Sequence, residues 1–109
     1  MTTGPSGEQV IQEMAEILEP HISGIISRIN VDEFTTAEFI QALQMDPEAQ
    51  RAFQDALDHW PETDERLSRL VLHGQVIPQL LRRSKLVEWA GYAHGEEDPY
   101  GVPAWWKKL

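Results

Sequence analysis

The sequence predicts a mainly helical α+β fold with one small β-hairpin near the C-terminus. Through most of residues 8–84, apolar residues recur at the three- and four-residue spacing of amphipathic helices. From residue 86 the pattern changes to strand-forming residues, first in residues 86–93 and again in residues 102–106. Residues 94–101 between them are polar and contain an Asp-Pro pair and a glycine, which are typical of a turn. A length of 109 residues suits a single domain.

The N-terminal part of the chain carries the longest helical pattern. Residues 1–7 are small and polar, and we expect them to be a disordered lead-in. Residues 8–30 form a helical segment, which we expect Pro20 to end or kink near Glu19. Its apolar stripe must be buried either against the rest of the chain or against residues 8–29 of a second copy. The sequence leaves both intrachain packing and a homodimer open.

The middle of the chain is expected to hold two capped helices. Thr35 or Thr36 can cap the first helix, and Glu38 lies three residues after Thr35, as in a capping box. Asp46 followed by Pro47 is a second start signal, because aspartate caps well and proline suits the first helical position.

The last helical region has two interpretations. In the first, a helix over residues 64–72, a tight turn at 73–74 and a helix over residues 75–84 form a helix-turn-helix pair. Gly74 then ends the first helix, and Pro78 falls in the first turn of the second, where its missing N–H has no helical partner. In the second interpretation, one helix runs from residue 64 to residue 84 and bends at the glycine and the proline.

A helix with a basic exposed end, followed by a hairpin, resembles the recognition helix and wing of a winged helix-turn-helix domain. The resemblance covers residues 34–108 and is carried by the junction LLRRSKLV at residues 80–87 and by Trp105-Trp106 in the return strand. It implies a winged-helix domain over residues 31–109, with the N-terminal helix as an addition. It also implies a DNA-binding role, as a regulator or accessory factor of transcription, replication or a mobile element.

The residues expected to contact DNA follow from this resemblance and from their chemistry. Amide and guanidinium groups can hydrogen-bond base edges, and cationic side chains attract phosphates. The candidates on the helix and just after it are Gln75, Gln79, Arg82, Arg83 and Lys85. Lys107 and Lys108, after the return strand, are a second basic site. The alternative is structural, since cations at the C-terminal end of a helix also complement its dipole.

The charge of the chain opposes a simple DNA-binding interpretation. The net charge is −9, whereas attraction to phosphates supplies most non-specific affinity for DNA. Residues 1–65 hold 14 acidic and two basic residues, a net charge of −12, and residues 66–109 hold seven basic and four acidic residues, a net charge of +3. A partner that approaches the C-terminal half therefore meets a very different surface.

The same fold could instead serve as an acidic protein–protein interaction module, either an adaptor or a DNA-mimicking inhibitor. Glu96, Glu97 and Asp98 at the tip of the hairpin would repel phosphates, and a basic protein surface would suit them better. Adjacent Trp105 and Trp106 point to opposite faces of a strand, so one can be core while the other is exposed. We expect Trp106 to join the three acidic residues in a partner-binding surface.

Several classes of function lack support in the sequence. There is no cysteine, which excludes disulfides, thiolate zinc sites and cysteine catalysis. The four histidines lack the close spacing of metal ligands, and there is neither a glycine-rich phosphate loop nor a nucleophile elbow. We therefore predict no catalytic residues, no metal and no cofactor. The lack of a signal-peptide pattern and of a long apolar run predicts a cytoplasmic protein without a membrane span.

Overall fold

The computed structural model describes residues 7–61, 64–93, 100 and 103–109, which fold into helices packed against a small antiparallel sheet. The helices are α1 (Gly7–Arg28), α2 (Thr36–Met45), α3 (Pro47–Asp58), α4 (Glu65–Val71) and α5 (Ile77–Ser84). The strands are β1 (Glu33–Thr35), β2 (Val87–Tyr92) and β3 (Ala104–Lys108). The sheet has the order β1-β3-β2, so the last strand of the chain is the central one. The predicted α+β class is confirmed, with a third strand, β1, that the sequence pattern did not indicate.

Helix α1 continues through Pro20, so of the two predicted effects, an end or a kink near Glu19, the end is wrong. Proline removes the N–H that would bond the carbonyl of Glu16, but both residues are exposed, so water can reach that carbonyl. The buried stripe on the opposite side of α1 then holds both halves in one helix. Of the predicted disordered lead-in, only Gly7 lies within the described residues, and it begins α1.

One hydrophobic core takes the buried faces of the helices and the inner face of the sheet. Its largest fully buried side chains include Trp106, Phe34, Phe39, Phe53 and Met14. The buried residues of α1 are Val10, Met14, Ala15, Leu18, Ile22, Ile25 and Ile26. The apolar stripe that suggested a homodimer is therefore buried inside the same chain. Dimerisation stays a prediction, but the apolar stripe of α1 no longer supports it.

The two caps predicted in the middle of the chain are confirmed. The N–H of Glu38 donates to Oγ1 of Thr35 at 3.1 Å, and the N–H of Thr35 donates to the Glu38 carboxylate at 2.9 Å, which makes a capping box. Asp46 caps α3 and accepts hydrogen bonds from the backbone N–H groups of Glu48 and Ala49. These side chains decide where α2 and α3 begin, because the first N–H groups of a helix have no partner inside it.

The helix-turn-helix pair predicted over residues 64–84 is wrong, and the alternative of one long helix is confirmed. Asp64 caps α4, and helical structure continues through the π-helical segment Leu72–Val76 into α5. In this segment the N–H of Ile77 bonds a carbonyl five residues earlier. Pro78 explains the change, because its ring would collide with the carbonyl four residues earlier in a regular α-helix. One extra residue in a single turn lets the helix accept proline without a break.

A bulge in β2 decides which side chains share the inner face of the sheet. Trp89 is opposite Trp106 and Tyr92 is opposite Ala104, so two residues of β2 face one residue of β3 between these pairs. Gly91 has a φ of 114° within this bulge, a conformation that glycine adopts readily. In a regular strand, Trp89 and Tyr92 would point to opposite faces. With the bulge, both lie on the inner face.

We predict that Thr35→Val lowers the free energy of unfolding by about 1 kcal/mol, because valine keeps the shape of threonine but cannot accept the cap hydrogen bond. Thr35 is 1% exposed, so water cannot take the place of its hydroxyl. Chemical denaturation at neutral pH measures the change. Thr35→Ser keeps the acceptor and is the matched control. A valine variant no less stable than the serine variant would contradict the prediction.

Asp46 is expected to make the fold sensitive to acid. The backbone N–H of Ala49 and the guanidinium of Arg28 lower the pKa of the Asp46 carboxyl from its ordinary value of 3.8. A group with a lowered pKa in the folded state stabilises the fold above the unfolded pKa, and this contribution is lost as the pH falls through the lowered value. Asp46→Asn should therefore flatten the fall in melting temperature between about pH 5 and about pH 2. Asp55→Asn, on the exposed side of α3, is the control, and identical acid profiles for the two variants would refute the assignment.

Candidate functional site

The exposed side and C-terminal end of α5 bring together the polar residues that the sequence singles out. Gln75, Gln79, Arg82, Arg83 and Lys85 are all exposed. Gln75 lies in the π-helical segment Leu72–Val76, and Gln79 lies in α5 three residues before Arg82, a spacing that makes neighbours on one side of an α-helix. The buried residues on the opposite side are Val76, Ile77, Leu80 and Leu81. The polar side is therefore open to a partner, while the apolar side holds the helix in the core.

Arg82 lies over the ring of Trp106, with its guanidinium carbon 5.6 Å from the ring centroid. This cation–π contact holds the guanidinium at the junction between α5 and the sheet. Trp106 is only 1% exposed, and its Nε1–H donates to Oγ1 of Thr36 at 2.8 Å. The prediction that Trp106 belongs to a partner-binding surface is therefore wrong, because its indole is part of the core. Trp105, on the outer face of β3, is the exposed one of the pair.

Arg83 and Lys85 are held differently from Arg82. Arg83 forms an ion pair with Glu19 of α1 at 2.9 Å and also donates to the side-chain oxygen of Gln12 at 3.4 Å. A phosphate would have to compete with Glu19 for this cation. Lys85 follows α5 in the left-handed conformation, with a φ of 60°, and is exposed. Of these three cations, Arg82 is the one whose guanidinium contacts a ring of the antiparallel ribbon formed by β2 and β3.

Lys107 and Lys108 are on opposite faces of β3, and each has its own contacts. Lys107 is on the outer face of the sheet, in register between Glu33 of β1 and Glu88 of β2. Lys108 is on the inner face, and its Nζ donates to the carbonyl of Ile29, just beyond the end of α1. One lysine is thus flanked by carboxylates, and the other complements the C-terminal end of a helix. Neither extends the cationic cluster at the end of α5.

An open groove, which we call the Trp89 groove, lies between α5 and the ribbon and has a volume of about 370 Å³. The residues that line it are Gly74, Pro78, Arg82, Trp89, Tyr92, Ala104 and Trp106. The rings of Trp89 and Tyr92 meet edge to face, with their centroids 5.4 Å apart. Trp89 is 47% exposed and Tyr92 is 63% exposed. Adjacent large aromatic side chains that remain in contact with water mark a candidate binding surface.

Sequence reasoning alone does not single out Trp89 or Tyr92 as site residues. Three residues apart in a regular strand, they would lie on opposite faces, so their contact depends on the bulge. Gly91 is the signal that points to it, since a glycine inside a strand pattern often marks a bulge or a close approach of another group.

Three residues of the predicted partner-binding surface, Glu96, Glu97 and Asp98, lie outside the described residues. Within the described part of the chain, no three His, Cys, Asp or Glu residues are grouped so that they could hold a metal ion. No helix in the described ranges combines the length and the apolar character needed to cross a membrane. The candidate site therefore consists of the exposed side of α5 and the Trp89 groove.

Comparisons of this chain with protein-family models, with curated proteins and with solved structures found no match.

The two adjacent tryptophans should respond differently to the same substitution. Trp106→Phe removes a buried hydrogen bond to Thr36 and part of a packed ring, so we expect it to lower the free energy of unfolding by about 1–3 kcal/mol. Trp105→Phe, on the outer face, should change it by less than about 0.5 kcal/mol. Denaturant unfolding of the two variants tests this expectation, and equal losses would contradict the assignment of Trp106 to the core.

Proposed function

We propose that this chain is a non-enzymatic DNA-binding protein of the winged-helix type, which acts as a regulator or accessory factor of transcription, replication or a mobile element. The observation that carries the proposal is the exposed polar side of α5, where Gln79 and Arg82 lie beside an antiparallel ribbon and Gln75 is exposed in the π-helical segment just before them. Amide groups can bond base edges in a duplex groove, and a guanidinium can bond either a guanine edge or a phosphate.

The order of elements supports the winged-helix arrangement. Helix α5 ends at Ser84 and β2 begins at Val87, so the ribbon starts directly after the helix. A recognition helix followed directly by a wing is the order of elements in the winged helix-turn-helix domains that the sequence resembles. In this proposal α3 and the long helix of α4 and α5, joined by residues 59–64, take the place of the helix-turn-helix pair that was expected within residues 64–84.

The uneven charge of the chain makes phosphate binding compatible with its net charge of −9. Arg82, Arg83 and Lys85 lie within four residues of one another at the end of α5, and all three are exposed. Salt screens exposed charges beyond about 10 Å at 0.1 M ionic strength. A phosphate at the end of α5 therefore responds mainly to this cluster, and much less to carboxylates on distant parts of the surface.

An acidic protein–protein interaction module, either an adaptor or a DNA-mimicking inhibitor, is a second candidate function. It is favoured by the pairing of Arg83 with Glu19, which removes part of the cationic cluster from a nucleic-acid partner. It is also favoured by the exposed carboxylates of α1 and α3, which include Glu8, Glu16, Glu48, Asp55 and Asp58. A partner with a basic surface would bind these helices rather than α5.

We predict that Arg82→Ala weakens binding to a mixed-sequence DNA duplex and that Arg83→Ala weakens it less. A plot of the logarithm of the binding constant against the logarithm of the salt concentration has a negative slope. Loss of one phosphate contact should reduce the magnitude of this slope by about 0.9. Loss of a bidentate base contact should instead cost about 1–3 kcal/mol. Arg83 should matter less because Glu19 already neutralises it. Fluorescence anisotropy with a labelled duplex at about 50 mM and about 200 mM salt measures both quantities.

Arg51→Ala is the matched control for this experiment, because Arg51 is an exposed arginine on α3 in the acidic half of the chain. Its removal should leave affinity and salt slope unchanged. The proposed function is refuted when the unsubstituted protein binds neither duplex nor single-stranded DNA at low salt. That result would favour the acidic interaction module. Equal losses of affinity for Arg82→Ala and Arg51→Ala would show that α5 is not the contact surface.

A further inference from the structure

Trp89 and Tyr92 contact each other in the Trp89 groove and stay outside the buried core. Trp89 is in register with the buried Trp106, yet it is 47% exposed because it lies at the open side of the groove. Tyr92 is 63% exposed and meets it edge to face. Each ring therefore keeps surface in contact with water that a flat partner could cover.

The bulge in β2 is the device that produces this pair. Two residues of β2 take the place of one, and Gly91 supports the turn of the backbone with its positive φ. A bulge weakens pairing in a strand, and bulges are common where a side chain is redirected at a functional site. Here its effect is to bring Tyr92 onto the same face as Trp89.

The charge of the groove favours an anionic partner. Arg82 is in its lining, and the described lining residues include no carboxylate. The groove beside Trp60, of about 360 Å³, has Asp58, Asp64 and Glu65 in its lining, and none of its described lining residues is a cation. In a chain with a net charge of −9, a groove that combines aromatic rings with a guanidinium selects against a basic peptide.

We propose that the Trp89 groove binds an unpaired nucleobase of single-stranded nucleic acid, with Arg82 on the adjoining phosphate or base edge. This inference rests on the proposed function and names the form of nucleic acid that the site prefers. Every base has a π-face, so stacking on Trp89 or Tyr92 does not depend on sequence. The volume of about 370 Å³ lies at the small end of ligand-sized sites, which suits one or two flat rings. A base within an intact duplex cannot enter the groove, because both of its faces are already stacked.

The test compares three labelled probes by fluorescence anisotropy: a blunt duplex, the same duplex with a single-stranded extension, and the same extension with abasic sites in place of its bases. The unsubstituted protein should bind the extended probe more tightly than the other two. The double variant Trp89→Ala, Tyr92→Ala should lose roughly 5- to 100-fold in affinity for the extended probe. Its affinity for the blunt duplex should fall much less, since a blunt duplex offers no unpaired base to stack on either ring.

Two controls separate stacking from a general effect on the fold. Trp105→Ala removes an exposed tryptophan from the outer face of the same ribbon and should leave all three affinities unchanged. The single variant Trp89→Phe keeps an aromatic ring. It should retain most of the affinity of the unsubstituted protein for the extended probe. The aromatic double variant and the abasic substitution should also be non-additive, because each removes one partner of the same contact.

The outcomes distinguish this inference from the proposed function. Binding of the blunt duplex that depends on Arg82, with equal affinity for the extended and abasic probes, overturns the inference and leaves the proposed function intact. No binding of any probe at low salt overturns both. Binding of a short proline-rich peptide that requires Trp89 and Tyr92, with no such requirement for any probe, makes the groove a peptide site and also overturns the inference.

Discussion

The burial of Trp106 on the central strand holds together parts of the molecule that lie far apart in the sequence. Trp106 is in register with Phe34 on one neighbouring strand and with Trp89 on the other. Its Nε1–H donates to Thr36 at the start of α2, and the guanidinium of Arg82 covers its ring. Because β3 is the last strand of the chain and the central one of the sheet, the sheet is complete only when the C-terminus is in place.

The candidate site is a consequence of this packing. Arg82 is held at the edge of the groove by the same ring that fills the core, so the packing of the core sets the position of this guanidinium. The other cations predicted to contact DNA have different contacts in the structure. Arg83 links α5 to α1, and Lys108 complements the end of α1, whereas Lys85 is exposed at the end of α5. A cluster of basic residues in the sequence thus becomes a smaller exposed site and several structural contacts.

The helix starts could be predicted because their signals are local. Thr35 with Glu38, and Asp46 with Pro47, satisfy backbone N–H groups a few residues away, so no distant part of the chain is needed. The effect of each proline depends on packing, so the sequence alone does not decide it. Pro20 stays within a helix whose opposite side is buried, and the turn before Pro78 widens instead of breaking.

The sequence by itself determined the α+β class, the helix caps, the apolar stripe of α1 and the polar side of α5, since each depends on periodicity or on neighbours along the chain. Only the tertiary structure decided that the stripe packs within the chain, and that Trp106 rather than Trp105 is buried. It alone placed Trp89 and Tyr92 together. The physical reason is that a pattern of residues specifies which face is buried, whereas the partner of that face is chosen by contacts between residues far apart in sequence.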